Sequence, residues 1–201
     1  MSEYAIKSLD ASTWDAFARL AEKHNGMGFG GCWCTWFHSR VGRPEGEKGR
    51  PWKERLVREG DAHAALVFDG DAAVAWCQYG SPDELPNIHH RKDYEANRTE
   101  ELPDYRLTCI FVDRDYRGTG VPGVALRGAL DLIAKEGGGV VEGYPHDLKD
   151  GEKMRSQFLY NTTRSLCEQT GFSYDRPKGQ KNCVMRTVIA PRRPSRRRRA
   201  G

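Results

Sequence analysis

The 201-residue chain contains no window of 18 consecutive apolar residues, so no membrane-spanning helix is expected. Its first residues, MSEYAIKSLDASTW, lack a basic segment followed by an apolar one, so no secretory leader is expected either. Net charge is also scarce. Arg192, Arg193, Arg196, Arg197, Arg198 and Arg199 crowd the last residues, and removing their six charges from the formal +4 leaves the rest of the chain at −2. A globular part of that balance is not built to bind nucleic acid by charge alone. No interleaved aromatics or recognition module accompany the arginines, so no specific nucleic-acid partner and no membrane partner are expected. There is no internal repeat and no C-x2-C pair. The six cysteines are scattered, several of them inside apolar segments, which fits a reducing compartment and a soluble cytoplasmic protein.

The periodicities that remain define one domain over residues 1–190 and a disordered arginine-rich tail over 191–201. Tyr4 to Asp10 has strand character. Ser12 and Asp15 have the spacing of a capping box, before Trp14, Phe17, Ala18 and Ala21 at helical intervals. A long glycine- and aromatic-rich loop follows, and then a short helix that starts at Pro51. Two strand-like runs flank Asp69-Gly70-Asp71, a hairpin signal. The polar stretch 81–103 reads as an irregular excursion with room for one helix. Arg106 to Val112 is the most strand-like segment of all, and a helix from Val121 ends at Gly137-Gly138-Gly139. Gly139 to Pro145 reads as a strand, Ser156 to Thr170 as one helix capped by Gly171, and the segments FSYDRP and NCVMRTVI as a closing pair of strands.

Two kinds of pyrophosphate loop fit the turn after Val112. Gly118-Thr119-Gly120-Val121-Pro122-Gly123 matches G-x-G-x-x-G, and Glu142 lies 19 residues beyond Gly123, where a dinucleotide fold places its ribose-binding acid. Five residues, Asp113 to Arg117, separate that loop from its strand, however, and no crossover helix joins the two closing strands, so a parallel dinucleotide sheet cannot be completed. The alternative uses the backbone amides of 118–121 at a helix start as a concave set of donors backed by the helix dipole, with Arg117 as an added charge.

These residues resemble the GCN5-related N-acetyltransferases, the GNAT superfamily. Their R/Q-x-x-G-x-G/A motif falls on Arg117, Gly120 and Pro122, with proline replacing the last small residue. The resemblance implies a single α/β domain with helices on both faces of a mixed, mostly antiparallel sheet, splayed between its fourth and fifth strands. Acetyl-CoA would lie in the gap as co-substrate, with Ile110, Phe111 and Val112 against its pantetheine arm and Arg117, Gly118, Thr119, Gly120, Val121 and Pro122 around its pyrophosphate. It implies acetyl transfer to a primary amine, most simply that of a small molecule, by direct attack on the thioester. A peptide N-acetyltransferase and a non-catalytic acyl-CoA sensor are the alternatives, and a homodimer is compatible with any of them.

Many members carry a tyrosine acid four residues before the glycine that ends the last helix, but here that position is Cys167, a core filler by its neighbours. Tyr160 is the nearest phenol and is taken as the general acid. Glu142, a carboxylate between Val141 and Gly143 in a strand, is taken as the base, with His146 and Asp147 in reserve. Trp33, Trp36 and Phe37 are expected to line the acceptor pocket. Cys32, Cys34 and His38 with His89-His90 could be joined only into an irregular zinc set, so no metal is expected.

Overall fold

The computed structural model describes residues 4–27, 31–38, 49–148, 152, 154 and 156–192. Seven strands form one mixed sheet in the order β1-β2-β3-β4-β5-β7-β6: β1 Ala5–Ser8, β2 His63–Asp69, β3 Ala72–Gly80, β4 Tyr105–Val112, β5 Gly139–Gly143, β6 Ser173–Lys178 and β7 Asn182–Ile189. Among the described residues five α-helices accompany it: α1 Trp14–Lys23, α2 Arg50–Glu59, α3 Arg91–Ala96, α4 Val121–Lys135 and α5 Arg164–Gln169. Short 3-10 turns cover Thr35–Phe37, Arg114–Tyr116 and Ser156–Asn161. The element order and the hairpin at Gly70 agree with the sequence reading, and α3 occupies the polar excursion. The arginine-rich tail from 193 onward lies outside the described residues.

Strand alternation sorts the core into two layers. Ala65 and Val67 of β2 join Ala75, Cys77 and Tyr79 of β3 beneath Ala125, Leu126, Ala129 and Ile133 of α4. On the other face, Ala64, Leu66 and Phe68 join Trp76 beneath Trp14, Phe17 and Leu20 of α1. Because both faces are covered, β2 and β3 read as continuous apolar runs rather than alternating ones. Trp76 and Phe111 stack at 4.5 Å, which ties β3 to β4 on the α1 side. Gly128 lets α4 come down onto β1, where an added Cβ would lie 2.9 Å from Ile6.

All neighbouring strands are antiparallel except β4 and β5. This one parallel pair holds at only three positions, Tyr105 with Val141, Arg106 with Glu142 and Leu107 with Gly143. Beyond them β4 runs on to Val112, while the other chain turns through Tyr144 and Pro145, which has no N–H to offer. His146 then engages the far side instead, giving its amide to the Thr162 carbonyl at 3.0 Å and accepting from the Arg164 amide at 2.9 Å. The sheet therefore opens in its middle, as a splayed GNAT-type sheet does.

Two local expectations are corrected. The start of α1 is not a Ser12–Asp15 capping box: Asp10 Oδ1 accepts from the Ser12 and Thr13 amides, and Thr13 Oγ1 in turn accepts from the Asp10 amide at 2.9 Å. The segment from Ser156 is not one helix. Thr162, at φ +63°, breaks it into the 3-10 turn and the six-residue α5, and the Thr163 hydroxyl caps the latter by accepting from the Leu166 amide.

The glycines after α4 yield a stability prediction. Gly138 has φ +71°, and an added Cβ would sit 2.2 Å from the Ile189 carbonyl oxygen, whereas Gly60 has φ +82° with nothing within 4 Å. In urea unfolding, Gly138→Ala is expected to cost at least ~2 kcal/mol and Gly60→Ala about 1 kcal/mol, the second from backbone handedness alone.

Candidate active site

A cleft of about 890 Å³ occupies the opening between β4 and the segment leading into α5, within the usual size range of small-molecule sites. Cys109, Ile110, Phe111 and Val112 of β4 form one wall. Leu159, Tyr160, Thr162, Thr163 and Leu166 form the other. Arg117, Gly118 and Pro122 close one end with His24 and Met27, while Cys32, Cys34, Trp36, Phe37 and His89 close the other. No aspartate or glutamate lines the cleft among the described residues.

The glycine-loop end is built from the backbone. Gly118 and Gly120 lie at φ +76° and +81°, a conformation that favours glycine. Their side-chain positions are open, with nothing within 4 Å of an added Cβ, so the loop leaves concave space in front of its amides. The amides of Gly118, Thr119, Gly120 and Val121 bond to no backbone carbonyl among the described residues, whereas Gly123 already donates to the Gly120 carbonyl at 3.0 Å. Pro122 sits in the first turn of α4, where a missing N–H breaks no helical hydrogen bond. Gly123 is a helix-interior residue, so the literal G-x-G-x-x-G match ends inside α4 and is fortuitous in its last member.

Asp113 anchors this loop to the end of α1. Its carboxylate accepts from Lys23 Nζ at 2.7 Å and from the Asp115 amide at 3.2 Å, and lies 3.2 Å from His24 Nε2. Burial works against the charged form, but these hydrogen bonds outweigh it and hold the carboxyl below its ordinary range.

At the opposite end the Tyr160 hydroxyl lies 2.8 Å from His89 Nε2. The His89 ring stacks on Trp36 with centroids 4.2 Å apart and an interplanar angle of 11°, and Phe37 stands edge-on to both. The His89 carbonyl accepts from Lys178 Nζ. Burial, followed by the charges of Lys178, His90 and His146, lowers the His89 pKa to about 4, so the imidazole is neutral at pH 7. Burial, followed by the nearby Cys109 and Cys32 thiols, raises the Tyr160 pKa, so the phenol keeps its proton. The pair is neutral while the phenol holds its proton, and delivering that proton would leave a phenolate beside the imidazole.

The expected residues divide clearly. Ile110, Phe111, Val112, Arg117, Gly118, Pro122, Tyr160, Trp36 and Phe37 meet at the cleft, and Thr119, Gly120 and Val121 continue the loop into α4. Trp33 does not reach the cleft; it is buried against Trp14, with ring centroids 6.2 Å apart. Glu142 also lies elsewhere. Its fully buried carboxylate accepts from Tyr94 at 2.8 Å and Tyr144 at 3.0 Å, and Oε1 lies 3.4 Å from Arg186 Nη1. Strand alternation turns Glu142 toward α3, opposite Val141, which joins the α4 core. Cys167 is buried filler in that same core, with its pKa pushed up to about 12 by burial and then by Cys183 and Glu168.

Sequence reasoning missed His24, Cys109 and the Tyr160–His89 pairing. His89 was visible only as a member of an improbable zinc set, and no group of His, Cys, Asp and Glu able to hold a metal occurs among the described residues. No helix there is long and apolar enough to cross a membrane.

No protein-family model matches the sequence, and no curated protein matches it. Solved structures match it by shape. Mosquito arylalkylamine N-acetyltransferase like 5b is 13% identical, with 93% of this chain and 100% of that one covered at a TM-score of 0.54. An N-acetyltransferase from Staphylococcus aureus is 7% identical, with 93% and 98% covered at 0.51. A GNAT-family acetyltransferase from Streptococcus agalactiae is 12% identical, with 92% and 95% covered at 0.50. With its sheet topology, the chain has the fold of the GNAT superfamily.

The lowered pKa of His89 gives a pH prediction. The unfolded chain protonates this group near 6.5 and the folded chain only near 4, so the folded state loses stability as pH falls through that window. His38, buried and also held well below its ordinary value, by burial and then by Lys53, contributes in the same direction. Between pH 7 and 4.5 the Tm of His89→Asn is expected to fall less steeply than that of the wild type, measured by calorimetry in a buffer series.

Proposed function

We propose that the protein is an acetyl-CoA-dependent N-acetyltransferase acting on the primary amine of a small, apolar molecule. The observation that carries this reading is the coincidence of three features in one opening of the sheet: the parted β4 edge, the unpaired amides of 118–121 at the start of α4, and an apolar cleft between them. A pyrophosphate suits the amides and the positive end of α4. The pantetheine arm, itself a chain of amides, suits the unpaired side of β4 along Ile110 to Val112, and the thioester would then lie toward Cys109 and Tyr160.

The amine nitrogen attacks the thioester carbonyl, the C–N bond forms, and the C–S bond breaks as the thiolate leaves. Positioning in the cleft supplies much of the acceleration. Tyr160 donates its phenolic proton to the thiolate. The neutral His89, as its Nε2–H tautomer, donates to the phenol oxygen; this aims the phenolic hydrogen into the cleft and stabilises the phenolate that forms. Glu142 takes no part, because Tyr94, Tyr144 and Arg186 occupy it on the far side of β5. No carboxylate lines the cleft among the described residues, so no acidic side chain there takes the amine's proton. The same lack, together with the rings of Trp36 and Phe37, favours an acceptor that binds by apolar and stacking contact over one held by its charge.

Native mass spectrometry of the purified protein with acetyl-CoA, followed by a thiol-release assay over an amine panel, tests this reading. Turnover on aromatic or alkyl amines supports it, and retention of coenzyme A without turnover on any amine would instead mark a non-catalytic sensor. Tyr160→Phe is expected to lower kcat about 100-fold, the usual size of a general-acid contribution, and to leave the KM for acetyl-CoA unchanged. Gly120→Ala, whose Cβ would project into open space, is expected to raise that KM about tenfold, equivalent to roughly one lost hydrogen bond, and to leave the acceptor KM alone.

A further inference from the structure

Three thiols, those of Cys32, Cys34 and Cys109, line the cleft. Cys34 Sγ lies 2.9 Å from Cys109 Sγ, although 75 residues separate the two in the chain. The contact depends on an unusual turn: Trp33 and Cys34 both have left-handed backbones, at φ +48° and +53°, which few non-glycine residues adopt. That turn points the Cys34 sulfur at β4 and places Trp36 and Phe37 on the cleft wall behind it. The mechanism proposed above uses none of the three thiols.

We propose that Cys34 and Cys109 form a modification site, at which a small hydroperoxide entering the cleft converts the two thiols into a disulfide that staples the aromatic wall to β4. One sulfur attacks the peroxide: an S–O bond forms, the O–O bond breaks, and the alcohol, or water in the case of hydrogen peroxide, departs. The second sulfur then attacks the sulfenic sulfur; the S–S bond forms, the S–O bond breaks and water leaves. The two thiol protons end in the released alcohol and water, the peroxide is reduced by two electrons, and each sulfur is oxidised by one.

Cys34 has two sulfur neighbours, Cys109 on β4 at 2.9 Å and Cys32 in its own turn, and the cleft sets the oxidant. Cys34 and Cys109 are 2% and 5% exposed, so the cleft is their route to solvent, and it admits a peroxide but not a protein thiol-disulfide catalyst. Cys77, Cys167 and Cys183 lie in the core on the other face of the sheet, beyond reach of this pair. Burial, and then the Cys109 contact, keep the Cys34 thiol protonated against the opposing hydrogen bond with Cys32 and the charge of Lys53, which makes the reaction slow and dependent on peroxide concentration. None of this depends on which molecule occupies the cleft.

Intact-mass measurement of the wild-type protein with and without hydrogen peroxide, followed by non-reducing peptide mapping, tests the site. The expected result is a loss of two hydrogens, a peptide pair joined through Cys34 and Cys109, a Tm raised by several degrees, and reversal of all three by dithiothreitol. Cys34→Ser and Cys109→Ser should each abolish the crosslink, and the wild-type map decides the matter if either variant fails to fold. Thiols that remain free, a bridge between Cys32 and Cys34, or separate sulfinic acids would overturn the assignment. A crosslink that leaves Tm unchanged or lowered would overturn the stapling.

Discussion

The parting of β4 from β5 after three paired positions is the constraint on which the rest of the structure depends. A parallel pair that ran its full length would bury the backbone of Thr108 to Val112 in ladder hydrogen bonds and leave no opening. Pro145 withholds a donor where the ladder would continue, and His146 commits its backbone to Thr162 and Arg164. The cleft, the cysteine pair and the Tyr160–His89 contact all lie along the resulting gap.

A second consequence concerns where charge is placed. The described lining of the cleft carries no carboxylate, while acids close to it are tied up in the framework: Asp113 by Lys23 and His24, and Glu142 by two tyrosines and an arginine. Removing one partner of such a buried group strands a charge, so these residues are expected to matter for folding. Asp113 also links the end of α1 to the turn before the Gly118–Gly120 loop.

Much of this was legible in the sequence. Helical and strand periods fixed the element order, because Trp14, Phe17 and Ala21, or Leu126, Leu130 and Ile133, recur at the spacing of one buried face. The Arg117–Val121 loop was legible because glycine and a following helix start carry its physics locally. What failed was information that lives across the chain. Thr162 breaks the helix from Ser156 without a glycine or proline to announce it. Glu142 looked exposed to a cleft because strand alternation gives two faces without saying which one α3 covers, and its partner Tyr94 lies 48 residues away. Trp33 and Trp36 are three residues apart, yet one stacks in the core and the other at the cleft, a division set by two left-handed residues between helix and turn. His89 lay in a polar excursion, where the sequence marked it only as a member of an irregular zinc set.

The unpaired side of β4 is an edge strand located in the middle of a sheet. Edges normally lie at the margins, here β1 and β6, where another chain can add a strand and begin aggregation. The interior edge has backbone groups with the same appetite for pairing, but the 3-10 turn Ser156–Asn161 packs against β4 and α5 follows close behind it. Beyond Leu107 the place of a neighbouring strand beside β4 is thus taken by the chain's own later segment.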